Sequence, residues 1–249
     1  MPRMGIAPAV VGLLGLTCAL HAQDDPGRLL AEAIRAIGVQ GRLDQLAAEQ
    51  LRTRGVLHTA RGDVPFVGES IVQLPNQFRT VMQLEQAGRK NLVVHVVDGN
   101  KGWMSVDGRT VPLEGPLLAE ALETMYAHRV HRLLPLVRER GFQFSMLGAD
   151  RIGEQPVIGL RVASAGHRDI ELYFDATSRL LVKSQRRVYS AALGREVAQE
   201  EFYGQYKDVG GLRRPTQVSI RHDGQPFMDV EMLDIKLTGR LPDKVFGKP

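Results

Sequence analysis

Any chemistry in this chain would have to come from its histidines and acids. There are seven histidines and one cysteine, Cys18. His128 and His131 are three residues apart in a segment with helical spacing, so both rings could meet one metal ion. No third ligand accompanies them and no zinc-protease glutamate stands between them. With Arg129 and Arg132 alongside, they read first as a solvated basic helix face. His58, His95, His167 and His222 are isolated in sequence. Asp169, Glu171, Asp175, Glu200 and Glu201 fall on strand faces or at turns, with no partner at a defined spacing, and read as solvated charges. The sequence has no GxSxG elbow, phosphate-binding loop, dinucleotide fingerprint or complete calcium loop. The expectation is a protein without catalysis, cofactor or metal. The alternative of an exported hydrolase, with a site assembled from distant positions, stays open.

The elements that would position a site are mostly strands. Hydrophobic residues make up 43% of the 249 positions and charged residues 24%, the balance of a folded globular chain. The net charge of +4 is spread thinly, which excludes a nucleic-acid footprint and leaves at most a peripheral attraction to membranes. Asp25 and Pro26 open a helix whose stripe is Leu29, Leu30, Ala33, Ile34 and Ile37, ended by Gly38. A second short helix is expected from Arg42 to about Gln50. From Leu51 the period changes to two. About ten short strands follow, separated by Gly, Asp and Asn turns such as Asp98-Gly99-Asn100, and there is no alternation of strand and helix. This pattern predicts one large antiparallel sheet, strongly curved.

One long helical pattern interrupts the strands, Pro116 to Leu134. Its apolar residues, from Leu117 and Leu118 to Leu133 and Leu134, form a broad stripe, and Pro135 should end or kink it. The sheet is expected to curve around this helix, with either a plain core or a place for a greasy ligand between them. At the N-terminus, residues 1–22 combine Arg3, an apolar run and a small residue at Ala22. They read as a secretory signal peptide, with 23–249 as a single exported domain. A lipid-modified Cys18 is the minor alternative.

Leu74-Pro75-Asn76-Gln77-Phe78-Arg79, followed by Val97-Asp98-Gly99-Asn100-Lys101-Gly102-Trp103, resembles the periplasmic lipoprotein-carrier family, LolA and its outer-membrane lipoprotein-sorting relatives. Tyr173-Phe174-Asp175 with Leu180-Leu181, and the closing Pro242-Asp243-Lys244-Val245-Phe246, agree in kind. The resemblance implies a mainly β fold with helices (α+β), an incomplete barrel whose concave face is covered by helices. It implies a non-catalytic periplasmic protein that holds a lipid or acyl chain, with lipid or lipoprotein and a further envelope protein as partners. The cavity residues expected on this basis are Phe78, Met82, Trp103, Leu118, Leu122, Met125 and Tyr126. Trp103, the only tryptophan, matches the family position. The carriers have an arginine before the Pro-Asn pair, where this chain has Leu74, so the resemblance leaves open whether an opening and closing cycle carries over. A structural or sensing module with a filled core is the competing reading.

Overall fold

The computed structural model describes residues 25–38, 41 and 46–249. The signal segment, Cys18 and residues 42–45 of the expected second helix lie outside the described residues. Helix α1 (Pro26–Ile37) forms as its caps dictate. The Asp25 carboxylate accepts from the Gly27 and Arg28 amides at 3.1 and 3.3 Å, and the five stripe residues are buried. Gly38 ends it at φ +148°, where a Cβ would lie 2.5 Å from the Gly211 carbonyl oxygen, so only glycine fits. The expected second helix does not reach Gln50, because β1 (Ala48–Thr59) already pairs from Ala48 with Gln73 and Thr238.

The strands are more numerous and longer than the sequence pattern suggested. After β1 come β2 (Gly62–Gln73), β3 (Gln77–Gln86), β4 (Arg89–Asp98), β5 (Lys101–Val106) and β6 (Arg109–Pro112). Helices α2 (Gly115–His131) and α3 (Leu134–Arg138) intervene. Then follow β7 (Phe142–Ile152), β8 (Gln155–Ser164), β9 (Ile170–Asp175), β10 (Leu181–Ser190) and β11 (Arg195–Gly204). A small β12 (Lys207–Val209) and β13 (Leu212–Arg214) hairpin precedes β14 (Gln217–His222) and β15 (Gln225–Thr238). The main sheet has thirteen antiparallel strands in the order β6-β5-β4-β3-β2-β1-β15-β14-β11-β10-β9-β8-β7. It does not close, so β6 and β7 are free edges.

Contacts of α2 fix the curvature. Leu118 packs over Gly102 on β5, and Glu120, two residues on, accepts the Tyr189 amide of β10 at 2.6 Å. In a flat sheet those strands, eight steps apart, would stand about 38 Å from one another. They meet one turn of helix only because the sheet wraps around it. The expected kink comes before Pro135, at Leu133 with φ +58°, and Pro135 sits in the first turn of α3.

Three apolar clusters hold the fold. The largest places α1, α3 and the second half of α2 on Leu160, Val162, Ile170, Leu172 and Phe174 of β8 and β9, each at most 1% exposed. A smaller one puts Met125, Leu122 and Ala121 on Val72, Phe78 and Val97. The third lies on the opposite face of β2–β5, where Phe246, from the 3₁₀ turn Asp243–Phe246, is fully buried against Val94 and Val96. Each fully buried Leu or Phe contributes about 2 kcal/mol.

Candidate functional site

Alternation along paired strands decides which side chains share the concave wall with α2. Val72, Phe78, Val97 and Gly102 are register partners and lie under the helix. Moving away from the helix along the same face, the next rung is Met104, His95, Thr80, Ser70, Leu51 and Ile235. The rung after that is Val93, Met82, Gly68, Thr53 and Met232. The Met82 side chain lies across Gly68, whose missing Cβ would stand 3.4 Å from Met82 Cγ.

These middle rungs are apolar but not closed over. Leu51, Met82, Val93, Met104, Met232 and Ile235 are all half-exposed, although they belong to strands paired on both sides. Four of the chain's eight methionines, Met82, Met104, Met228 and Met232, are half-exposed on this face. Thioethers on flexible unbranched chains adapt to varied apolar shapes.

Five of the seven residues picked from sequence, Phe78, Met82, Leu118, Leu122 and Met125, stand on this wall or on the helix above it. Two do not. Trp103 pairs with Val96 and lies on the outer face, against the Phe246 tail. Both faces of β4 are largely apolar, Val94 and Val96 under Phe246 outside and Val93 and Val97 inside, so its sequence did not say which one looks inward. Tyr126 is buried in the filled cluster, its ring 3.9 Å from that of His167.

The polar side of α2 was misread in sequence. Glu120 accepts from Arg168 at 2.7 Å and from Arg186 at 2.9 Å, and Arg186 is 8% exposed. The second Arg186 terminal nitrogen reaches the Thr124 hydroxyl at 3.4 Å. His131 faces the Tyr203 hydroxyl at 3.4 Å, and that hydroxyl donates to Glu201 at 2.7 Å. Arg132 and Arg214 both pair with Glu49, at 2.9 and 2.7 Å. His128 stacks on Phe78, 5.7 Å between centroids. The expected solvated face is therefore a polar seam that pins the helix to β1, β10 and β11. A signal existed in Glu120, Thr124 and His128, polar residues at i, i+4 and i+8 within an apolar helix.

Burial and charge set the protonation of this seam. Burial pushes His128 down to about 4, with neighbouring His131 adding to it, and burial also lowers His131. Burial alone would raise Glu49, but the Arg214 and Arg132 guanidiniums outweigh it and hold it at about 2. Burial opposes ionisation of Glu201 as well, yet His131, Arg186 and hydrogen bonds from Tyr203 and Gln199 keep it below the usual carboxylate range. Among the described residues no group of three or more His, Cys, Asp or Glu is placed to hold a metal ion.

Two depressions lie elsewhere. One of about 630 Å³ runs along β1, β2, β14 and β15, and one of about 210 Å³ lies by Leu74, Arg132 and Pro135. Neither is lined by any of the seven residues. The larger is lined by apolar residues such as Val56, Pro65, Phe66 and Val230 and bordered by the charged Arg54, Asp229 and Glu231.

No family model matches the chain, and no curated protein does. Solved structures do match. A LolA superfamily protein from Nitrosomonas europaea is 14% identical with a TM-score of 0.55, over 89% of this chain and 97% of that one. The chain has a LolA-like fold. An outer membrane lipoprotein-sorting protein domain from Vibrio parahaemolyticus gives 12% identity and a TM-score of 0.56, over 90% of this chain and 97% of that one. A DUF1329 family protein from Desulfovibrio piger gives 10% and 0.56, over 89% and 96%. At these identities the likeness concerns the LolA-like backbone: an open antiparallel sheet curved around helices.

Proposed function

We propose that the chain holds the hydrocarbon chain of a lipid against the concave wall of β1–β5 and β15, without catalysis. The observation that carries this is the half-exposed, methionine-rich apolar face on strands that are paired on both sides. A wall of this kind gains about 25 cal/mol for each Å² removed from water, so a lipid tail is its natural complement. The site comprises Phe78, Met82, Leu118, Leu122 and Met125. The LolA-like fold, shared with a lipoprotein-sorting domain, supports the reading, and a lipoprotein carrier is its more specific form. The pattern of residues 1–22 and the LolA-like fold support a role outside the cytoplasm, in the periplasm. No helix among the described residues is long and apolar enough to cross a membrane.

The test is uptake of a fluorescent fatty acid, with native mass spectrometry of gently purified protein. Saturable uptake, reduced at least tenfold in folded Met82→Asp, is the expected result. Absence of uptake and of co-purified lipid would remove the proposal. For localisation, the periplasmic protein should begin at Gln23 when its N-terminus is sequenced, and an uncleaved cytoplasmic chain would contradict export.

A further inference from the structure

His95 is the odd residue on the concave wall. It projects from β4 between its register partners Thr80 on β3 and Met104 on β5. The ring is half-buried and makes no hydrogen bond, ion pair or ring contact with any described residue. Every other histidine among the described residues has such a contact. His58 has Asp63 and Asp229, His128 has Phe78, His131 has Tyr203, His167 has Glu123 and His222 has Gln199. Burial pushes the His95 pKa down and no neighbouring charge opposes it. The ring is therefore neutral at neutral pH, with one N–H to donate and one nitrogen to accept.

The polarity continues sideways from His95. Thr80 faces it across the β3–β4 pair, and Ser70 faces Thr80, with their hydroxyls 2.8 Å apart. The three side chains make one neutral polar rung across β4, β3 and β2. The corresponding positions on the rungs to either side are apolar or bare, Val97, Phe78 and Val72 towards the helix and Val93, Met82 and Gly68 away from it. A purely hydrocarbon ligand has no use for this rung, and would strip its water without replacing the hydrogen bonds. A ligand with an oxygen at that depth would restore them.

We infer that His95, Thr80 and Ser70 form a hydrogen-bonding rung that receives the ester group of an acyl lipid and so fixes how deep the chain lies. A neutral acceptor suits the rung better than a carboxylate, because no cationic side chain stands on it to compensate an incoming negative charge. The ester carbonyl accepts from the His95 N–H beside the Ser70–Thr80 hydroxyl pair, and the alkyl chain runs on over Met82 and Met232. The inference rests on the cleft reading above and adds the ligand's polar group to it.

The experiment is displacement of a bound fluorescent fatty acid from the whole protein by methyl laurate, laurate and dodecane, together with NMR of the His95 ring. Methyl laurate should compete about tenfold better than dodecane. His95→Leu should abolish that preference while changing dodecane competition less than twofold. In the unmodified protein the His95 ring resonance should move with methyl laurate and stay still with dodecane, a readout that does not depend on the variant folding. If the ester preference survives His95→Leu, or the ring does not respond, the rung is refuted and the cleft stands. If laurate competes best and raises the His95 pKa, the rung takes an anion and the ester assignment is wrong. If none of the three displaces the probe, or no probe binds, the cleft reading falls and the rung falls with it.

Discussion

Leu172 on β9 and Met82 on β3 occupy comparable places. Each is an inward residue of a strand paired on both sides, in a run with the same alternation. Leu172 is fully buried and Met82 is half-exposed. The difference lies in what stands above them. Over β8 and β9 the second half of α2, with α1 and α3, fills the space, down to Val130 and Leu133 at no more than 1% exposed. Over β1–β3 the helix covers only the rung of Val72 and Phe78. One sheet thus serves as the wall of a packed core at one end and stands half-exposed further along. The apolar alternation is the same in both, so the local sequence does not tell a covered stretch from an uncovered one.

This contrast can be tested by truncating both sides. Leu172→Ala should cost about 3–4 kcal/mol in urea unfolding, the range for a cavity in a packed core, whereas Met82→Ala should cost less than about 1 kcal/mol. Equal costs would mean that β3 is part of a core and that the cleft does not exist. Removing Glu120 should come next in size. Glu120→Ala strands the buried Arg186 and releases Arg168 and the Tyr189 amide, for a loss of about 2–3 kcal/mol. The same variant should bind a fluorescent fatty acid faster if the seam limits access.

Acid should act on the seam in a defined window. His128 is held neutral in the fold down to about pH 4, against 6.5 when unfolded, so the unfolded chain takes up a proton first. Stability is therefore full above pH 6.5 and falls by about 3 kcal/mol as the pH drops towards 4. Glu49, ionised in the fold down to about 2, extends the loss from 4.5 towards 2. His128→Gln should flatten the first part of that curve, and an unchanged slope would show that His128 is solvated. The smallest effect expected is on Trp103. Trp103→Ala should leave lipid-probe affinity within twofold, since the ring lies on the outer face, and a large loss of affinity would restore it to the site.

Much of the fold was readable from local rules. Asp25 with Pro26 and Gly38 bracketed α1, and the two-residue period placed Phe78, Thr80, Met82 and Leu84 on one face of β3 as found. What could not be read depended on distant pairing. Nothing in the local sequence of Glu120 points to its partners Arg168, Arg186 and Tyr189, which lie 48 to 69 residues away. Glu201 looked like a surface charge because its charged neighbours in space, His131 and Arg186, come from α2 and β10. Trp103 was misplaced for a related reason. Only the return of Phe246 to the outer face explains why β4 is apolar on both sides.

The unjoined edges of the sheet have a mechanical meaning. No ladder of backbone bonds ties β6 to β7, so the spacing between the two flanks is not fixed by the sheet itself. It is set by a strut, α2, gripping β5 through Leu118 and β10 through Glu120. Shifting that strut by even a fraction of a helical turn would change the aperture between the flanks, and with it the girth of whatever could slide along the wall.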